Sequence, residues 1–355
     1  MNKLSFLHLS QQIAKEFEAK AAFTRYTNDV IATSAFGIKV NSMKNQDNEF
    51  YMHGQAATSF KPSFILKFQL MTLFPKLMKW SGATFLPKST DTFFKSVINE
   101  AVRLRQVKGT IRQDMLHLLV QAMSKEVKEK DCSKVTIEDI QGQAIIFFIA
   151  GFETSSSLMS FICHELAANL DVQEKLHLEI DKYFDKKNND EITYESVNEL
   201  KYLDMVVNET LRKYPPAAFT NRLCTKDYTF PPTMEGYPEY VMKKGESIFI
   251  PIIGFHRDPK YFPNPEKFDP ERFNDENKGT IDPYTFIPFG MGPRECIGKR
   301  FALMETKIVI INLMRKFAVR FTDKSIHPVV FMKRTFSVTA KDGCWIRFEE
   351  RKKFD

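Results

Sequence analysis

The chain has 355 residues, 43% of them hydrophobic, and carries 51 basic against 44 acidic side chains for a net charge of +7. That length supports a large core, and so mild a basic surplus argues against a nucleic-acid partner, leaving solvated surface or a basic face for an acidic protein or anionic membrane. Five cysteines at wide spacings, with no CxxC, argue against a disulfide framework and fit a reducing compartment.

Taken in chain order, residues 1–10 show no leader pattern, and helical periodicity predicts several helices with polar joints up to about residue 130. Residues 63–80 are apolar but interrupted by Lys67, Pro75, Lys76 and Lys79; they read either as a helix pair touching a membrane surface or as ordinary amphipathic packing. Charged joints stand at 125–134 and 185–190, with a long helical pattern between them, from 137 to about 170. Thr136 and Asp139 have capping-box spacing at its start. Its unbroken apolar run, residues 144–152, is about half of the ~20 residues of a membrane span and reads as a buried helix. From 218 to 253 short alternating runs such as Tyr240-Val-Met and Ser247-Ile-Phe-Ile predict small strands, and four prolines in 259–270 predict a meandering loop. A helix to about residue 317 and a strand-like tail complete a mainly α fold with a small β-sheet portion, in one domain over 1–355.

The densest chemistry lies in Pro288-Phe-Gly-Met-Gly-Pro-Arg-Glu-Cys-Ile-Gly-Lys-Arg300. Gly290, Gly292 and Gly298 permit backbone angles and close approaches that side chains forbid. Cys296 stands just before a helix, beside Arg294, Lys299 and Arg300, an arrangement that favours negative charge on sulfur. A phosphate loop needs GxxxxGK[ST], and both the spacing from Gly292 to Gly298 and Arg300 depart from it. A catalytic thiol needs a histidine base, and no local pattern singles one out among the seven histidines. A thiolate ligand for heme iron is the third reading.

Phe289, Gly292, Arg294, Cys296 and Gly298 match FxxGxRxCxG, so the segment resembles the heme-binding signature of the cytochrome P-450 superfamily. The resemblance implies a cytochrome P-450-like fold and heme b (iron protoporphyrin IX), with Cys296 as the iron ligand and Phe289, Gly290, Arg294, Gly298 and Ala302 along the cofactor. Arg222 is similar in position to a family arginine that reaches a heme propionate. Glu209-Thr-Leu-Arg212 places a carboxylate and a guanidinium three residues apart on one helix face, usually a surface pair worth ~0–1 kcal/mol. With Phe268-Asp-Pro-Glu-Arg-Phe273, similar to the family's PERF segment, it implies a buried network of Glu209, Arg212 and Arg272. Ala150-Gly-Phe-Glu-Thr-Ser155 resembles the AGxET oxygen-activation segment, which implies proton relay by Glu153 and Thr154. Without that resemblance Glu153 reads as solvent-facing and Thr154 as bonding a carbonyl at a helix bend. Phe148, Ala150, Ala217, Ala218, Phe219, Phe336 and Val338 are the substrate-pocket residues it implies.

The function implied is a heme-thiolate monooxygenase of the cytosolic face of the endoplasmic reticulum. It inserts one atom of dioxygen into an apolar small-molecule substrate with electrons from NADPH-cytochrome P-450 reductase. Peripheral membrane contact and a role in xenobiotic metabolism are part of the same expectation. Residues 24–37 look like the middle of a microsomal member, most like those of insects. The expectation is therefore an N-terminally truncated chain without anchor, first strands and early helices. Neither Trp80 nor Trp345 stands in the family's WxxxR pattern. A catalytically inert chain that at most binds the reductase is the alternative expectation.

Overall fold

Thr136 opens the longest helix. Its hydroxyl accepts the Asp139 amide at 3.2 Å while its own amide donates to the Asp139 carboxylate at 2.9 Å, which satisfies two of the helix's unpaired N-terminal donors. The computed structural model describes residues 16–58, 67, 70–71, 74–82, 84–109, 112–124, 135–187, 191–333 and 337–351. In chain order these form β1 (Phe17–Glu18), α1 (Ala19–Ile31), α2 (Glu49–Thr58), α3 (Pro75–Trp80), α4 (Lys88–Lys108), α5 (Met115–Ser124), α6 (Ile137–Ala168), α7 (Leu170–Lys187), α8 (Tyr194–Glu199) and α9 (Lys201–Lys213). There follow β2 (Thr220–Leu223), β3 (Tyr228–Phe230), β4 (Tyr240–Met242), β5 (Ser247–Ile250), α10 (Ile252–Arg257), α11 (Lys299–Lys316), β6 (Phe317–Phe321) and β7 (Trp345–Glu350).

The periodicity that predicts one helix to about residue 170 runs through a break at Asn169. There the asparagine amide donates to the Glu165 carbonyl at 2.9 Å, and α7 starts as a separate helix. Most of 59–73 and all of 125–134 lie outside the described residues.

Two apolar clusters make the core, and α6 runs through both. Its C-terminal half gives Leu158, Phe161, Ile162 and Leu166 to a cluster shared with α1, α7, α9, α11 and the terminal sheet. Its N-terminal half gives Ile140, Ala144, Phe148 and Phe152 to a second cluster with Phe36, Phe50 and Phe94. Among the described residues α6 is the one helix long and apolar enough to cross a membrane, yet 56% of its most apolar window is buried. A helix apolar on nearly every face suits the centre of a large core.

The strands pair antiparallel as β1-β7-β6, β2-β5 and β3-β4. In β2-β5, Arg222 lies opposite Ile248. This strand pair and the 259–270 loop flank the functional residues.

Candidate functional site

The cysteine loop closes on itself. The Cys296 amide donates to the Phe289 carbonyl at 2.9 Å, and Gly290 and Gly292 turn the chain at φ 72° and 79°, where any other residue is strained. A 3-10 turn at Gly292–Arg294 follows. The Lys299 amide reaches the Cys296 carbonyl at 3.4 Å as α11 begins, so the cysteine sits just ahead of the helix N-terminus. Cys296 is exposed. Apolar neighbours in the chain are exposed with it: Met291, Phe301 and, at 84%, Ile297. The Arg222 guanidinium donates to the Met291 carbonyl at 3.1 Å and so ties the β2-β5 pair to the loop. That pair bares Ile248 and Phe249, the latter packed on Phe219 at 5.7 Å between ring centroids. Phe289 is half-buried under the Lys299 ammonium, Ala302 is half-buried on α11, and Arg294 is exposed.

These residues fit a heme. A reachable sulfur donor, glycines held at angles only glycine takes easily, and bare apolar side chains around the loop suit a flat apolar ligand bound through a soft anion.

Behind the loop the structure brings Glu209, Arg212 and Arg272 together. Arg212 holds the Glu209 carboxylate with Nε at 2.7 Å and Nη2 at 2.8 Å, and both side chains are fully buried. Its remaining donors meet the carbonyls of His256 at 2.9 Å and Pro265 at 2.8 Å. Arg272 stands 3.5 Å from the same carboxylate, which also accepts the Asp269 amide at 2.9 Å. Burial pushes the Glu209 carboxyl upward, against the pull of Arg212, the Asp269 amide and Arg272. The cluster thereby fastens α9 to the proline-rich loop, whose carbonyls otherwise lack regular partners.

Midway along α6 the Thr154 hydroxyl donates to the Ala150 carbonyl at 2.8 Å. Glu153 meets Lys20 at 3.0 Å and the Ser337 hydroxyl at 3.4 Å. The space that Gly151 leaves beside the helix is taken by Ile31 of α1, whose Cδ1 would lie 3.0 Å from a Cβ there. Phe148 is not a pocket residue in this structure. It is sealed among Phe36, Phe50, Phe94 and Phe152 in the second core cluster, because its position on α6 points at α2 and α4. Val338 is likewise buried; its amide bonds the Pro216 carbonyl at 3.1 Å. Ala150, Ala217 and Phe219 are exposed and Ala218 is half-buried, whereas Phe336 lies outside the described residues.

Sequence reading misses three groups. Lys20 contacts Glu153 across 133 residues, a separation no local pattern reveals. Lys213 and Tyr214 converge on the buried Glu165, the lysine at 3.0 Å; beside Arg212 that lysine reads as a solvated helix end. Glu305 is buried on α11, and among the described residues neither of its oxygens has a hydrogen-bond partner. Its place in Leu303-Met-Glu-Thr-Lys307 gives no sign of burial.

The cytochrome P450 family profile matches residues 4–345. Among curated proteins the chain is 45% identical to cytochrome P450 9e2 of Blattella germanica over 344 residues, covering 94% of this chain and 64% of that one. It is 42% identical to probable cytochrome P450 9f2 of Drosophila melanogaster and 40% identical to cytochrome P450 9b2 of the same fly. Those matches cover 95% of this chain and 65% and 66% of the relatives, so the chain spans about two thirds of their length.

Proposed function

Because the chain belongs to the cytochrome P450 family, we propose that it forms the heme-thiolate part of a monooxygenase acting on an apolar small molecule, with electrons from an NADPH-dependent reductase. The observation that carries this reading is the Cys296 loop, a reachable sulfur on a glycine-turned loop ahead of α11. Bound heme supplies the oxygen chemistry. Cys296 would hold its iron through sulfur, and Arg222 braces the loop through the Met291 carbonyl. Arg294 is exposed beside the cysteine, where its guanidinium suits a propionate. The Glu209 cluster holds the loop's supporting scaffold rigid. Ile146, Ala150 and Thr154 recur at helical spacing along one solvent-reaching, largely apolar face of α6, which suits an apolar substrate. Glu153 and Thr154 stand side by side on that helix, an acid and an alcohol able to pass a proton.

Association with the cytosolic face of the endoplasmic reticulum is part of this proposal. It draws support from α3, where Leu77 and Trp80 are exposed beside Lys76. The basic side chains Lys299 and Arg300, exposed next to the loop, suit an acidic electron donor. A second reading, in which the 355-residue chain alone binds the reductase without turnover, rests on the exposure of Cys296.

With heme, reductase and an apolar test substrate, product should form in step with NADPH consumption. Thr154→Ala should lower the ratio of product to peroxide by about a hundredfold, the low end of what a positioned proton donor contributes. An unchanged ratio of product to NADPH would remove Thr154 from proton delivery, and no turnover in well-folded, heme-loaded wild type would favour the second reading.

A further inference from the structure

The structure assigns a positioning residue to the acid of α6. We propose that Lys20 clamps Glu153 and thereby sets where its carboxylate is held in the proton relay. This inference rests on the monooxygenase reading above.

Lys20 grips one residue twice. Its ammonium donates to the Glu153 carbonyl at 2.7 Å and stands 3.0 Å from Oε1 of the same side chain. Two further acceptors on the next turn, the hydroxyls of Ser156 at 2.7 Å and Ser157 at 2.8 Å, complete its shell. An ammonium has three donors and no acceptor, so this shell uses its full capacity and leaves no reason for it to turn outward.

The clamp's own base is fixed. Lys20 is the second residue of α1, and Glu18 caps that helix by accepting the amides of Lys20 at 3.1 Å and Ala21 at 2.6 Å. The same carboxylate accepts the Cys344 amide at 2.9 Å, and the Ala19 amide returns to the Cys344 carbonyl at 2.8 Å. The terminal sheet therefore sets where Lys20 starts, and α6 sets where it ends. On the α6 side, Thr24 and Thr27 add bonds to Ser156 at 3.2 Å and to the Phe152 carbonyl at 2.9 Å, which keep α1 from sliding. Burial lowers the Lys20 ammonium from its ordinary value and Glu153 pulls it back up, so the pair is coupled.

Solvent reaches the clamp from one side. A cleft of about 170 Å³ is lined by Glu18, Lys20, Ser157, Ser160, Thr339 and Cys344. Its volume admits several waters, next to polar groups that can bond them. Thr154, by contrast, spends its hydroxyl on the Ala150 carbonyl. Lys20, which lines the cleft, thus holds the acid toward α1, one helix position from the alcohol.

The test is carboxyl-directed footprinting of the full chain, read by mass spectrometry with and without heme. Wild type should label weakly at Glu153. Lys20→Met should raise that labelling severalfold, Lys20→Arg should restore protection, and the buried Glu165 and Glu209 should stay unlabelled in all three. No rise at Glu153, or a rise shared with Glu165 and Glu209, overturns the clamp. In the heme-loaded protein Lys20→Met should also raise peroxide released per product; more labelling with an unchanged ratio overturns the positioning role. The footprint is read without turnover, so it stands even where wild type gives no thiolate-type carbon-monoxide spectrum and the oxygenase reading itself fails.

Discussion

Arg212→Leu should cost about 3–5 kcal/mol of stability, the range for breaking a buried ion pair by removing one partner. The loss has two sources. Glu209 becomes a buried carboxylate with only Arg272, at 3.5 Å, as a charged partner. The carbonyls of His256, in α10, and of Pro265, in the proline-rich loop, lose donors at 2.9 and 2.8 Å. Glu209→Leu should cost a similar amount by stranding Arg212. The double change should cost clearly less than the sum, because it removes both charges. Urea midpoints of the single and double variants check this; additive losses would mean that the pair is not coupled.

Glu305→Gln should remove a pH dependence of stability. Burial pushes this carboxyl up to about 8. A carboxyl whose folded value lies above its unfolded one binds its proton more tightly in the fold. Its contribution is therefore complete below the ordinary value of 4.5 and declines as pH rises to about 8. The full span is on the order of 5 kcal/mol. Three histidines, two buried and one half-buried, act in the other direction. His164, His177 and His256 are held down to about 4 by burial, so the fold loses stability as pH falls from 6.5 toward 4. The comparison of wild type with Glu305→Gln isolates the carboxyl: their difference in unfolding free energy should change steadily between about pH 5 and about pH 8. A constant difference across that window would mean that Glu305 ionises normally.

What the sequence reveals follows from the range of each interaction. The capping box at Thr136, the Glu209–Arg212 pair and the strands at 240–242 and 247–250 are decided within a few residues, and each is found where local pattern puts it. The break at Asn169 is missed because apolar periodicity continues across it from Leu166 to Val172. Phe148 and Thr154 share one helix and six residues of sequence, yet one is sealed in aromatic packing and the other reaches solvent. Which face of α6 is covered depends on α1, α2 and α4, whose docking no window over α6 contains. The same holds for Lys20 and Glu153, and for Lys213 and Glu165, whose partners lie on other helices. Gly151 shows the limit in a single residue. The missing side chain signals close approach, but only the fold shows that Ile31 is what approaches.

The central claim is that Cys296 carries the heme iron through its sulfur. The 355-residue chain, purified with added heme, reduced and exposed to carbon monoxide, should give the strongly red-shifted absorption band of thiolate ligation, and Cys296→Ser should lose it while still folding. A wild-type spectrum without that band in folded, heme-bound protein, or a serine variant that keeps it, would contradict the claim.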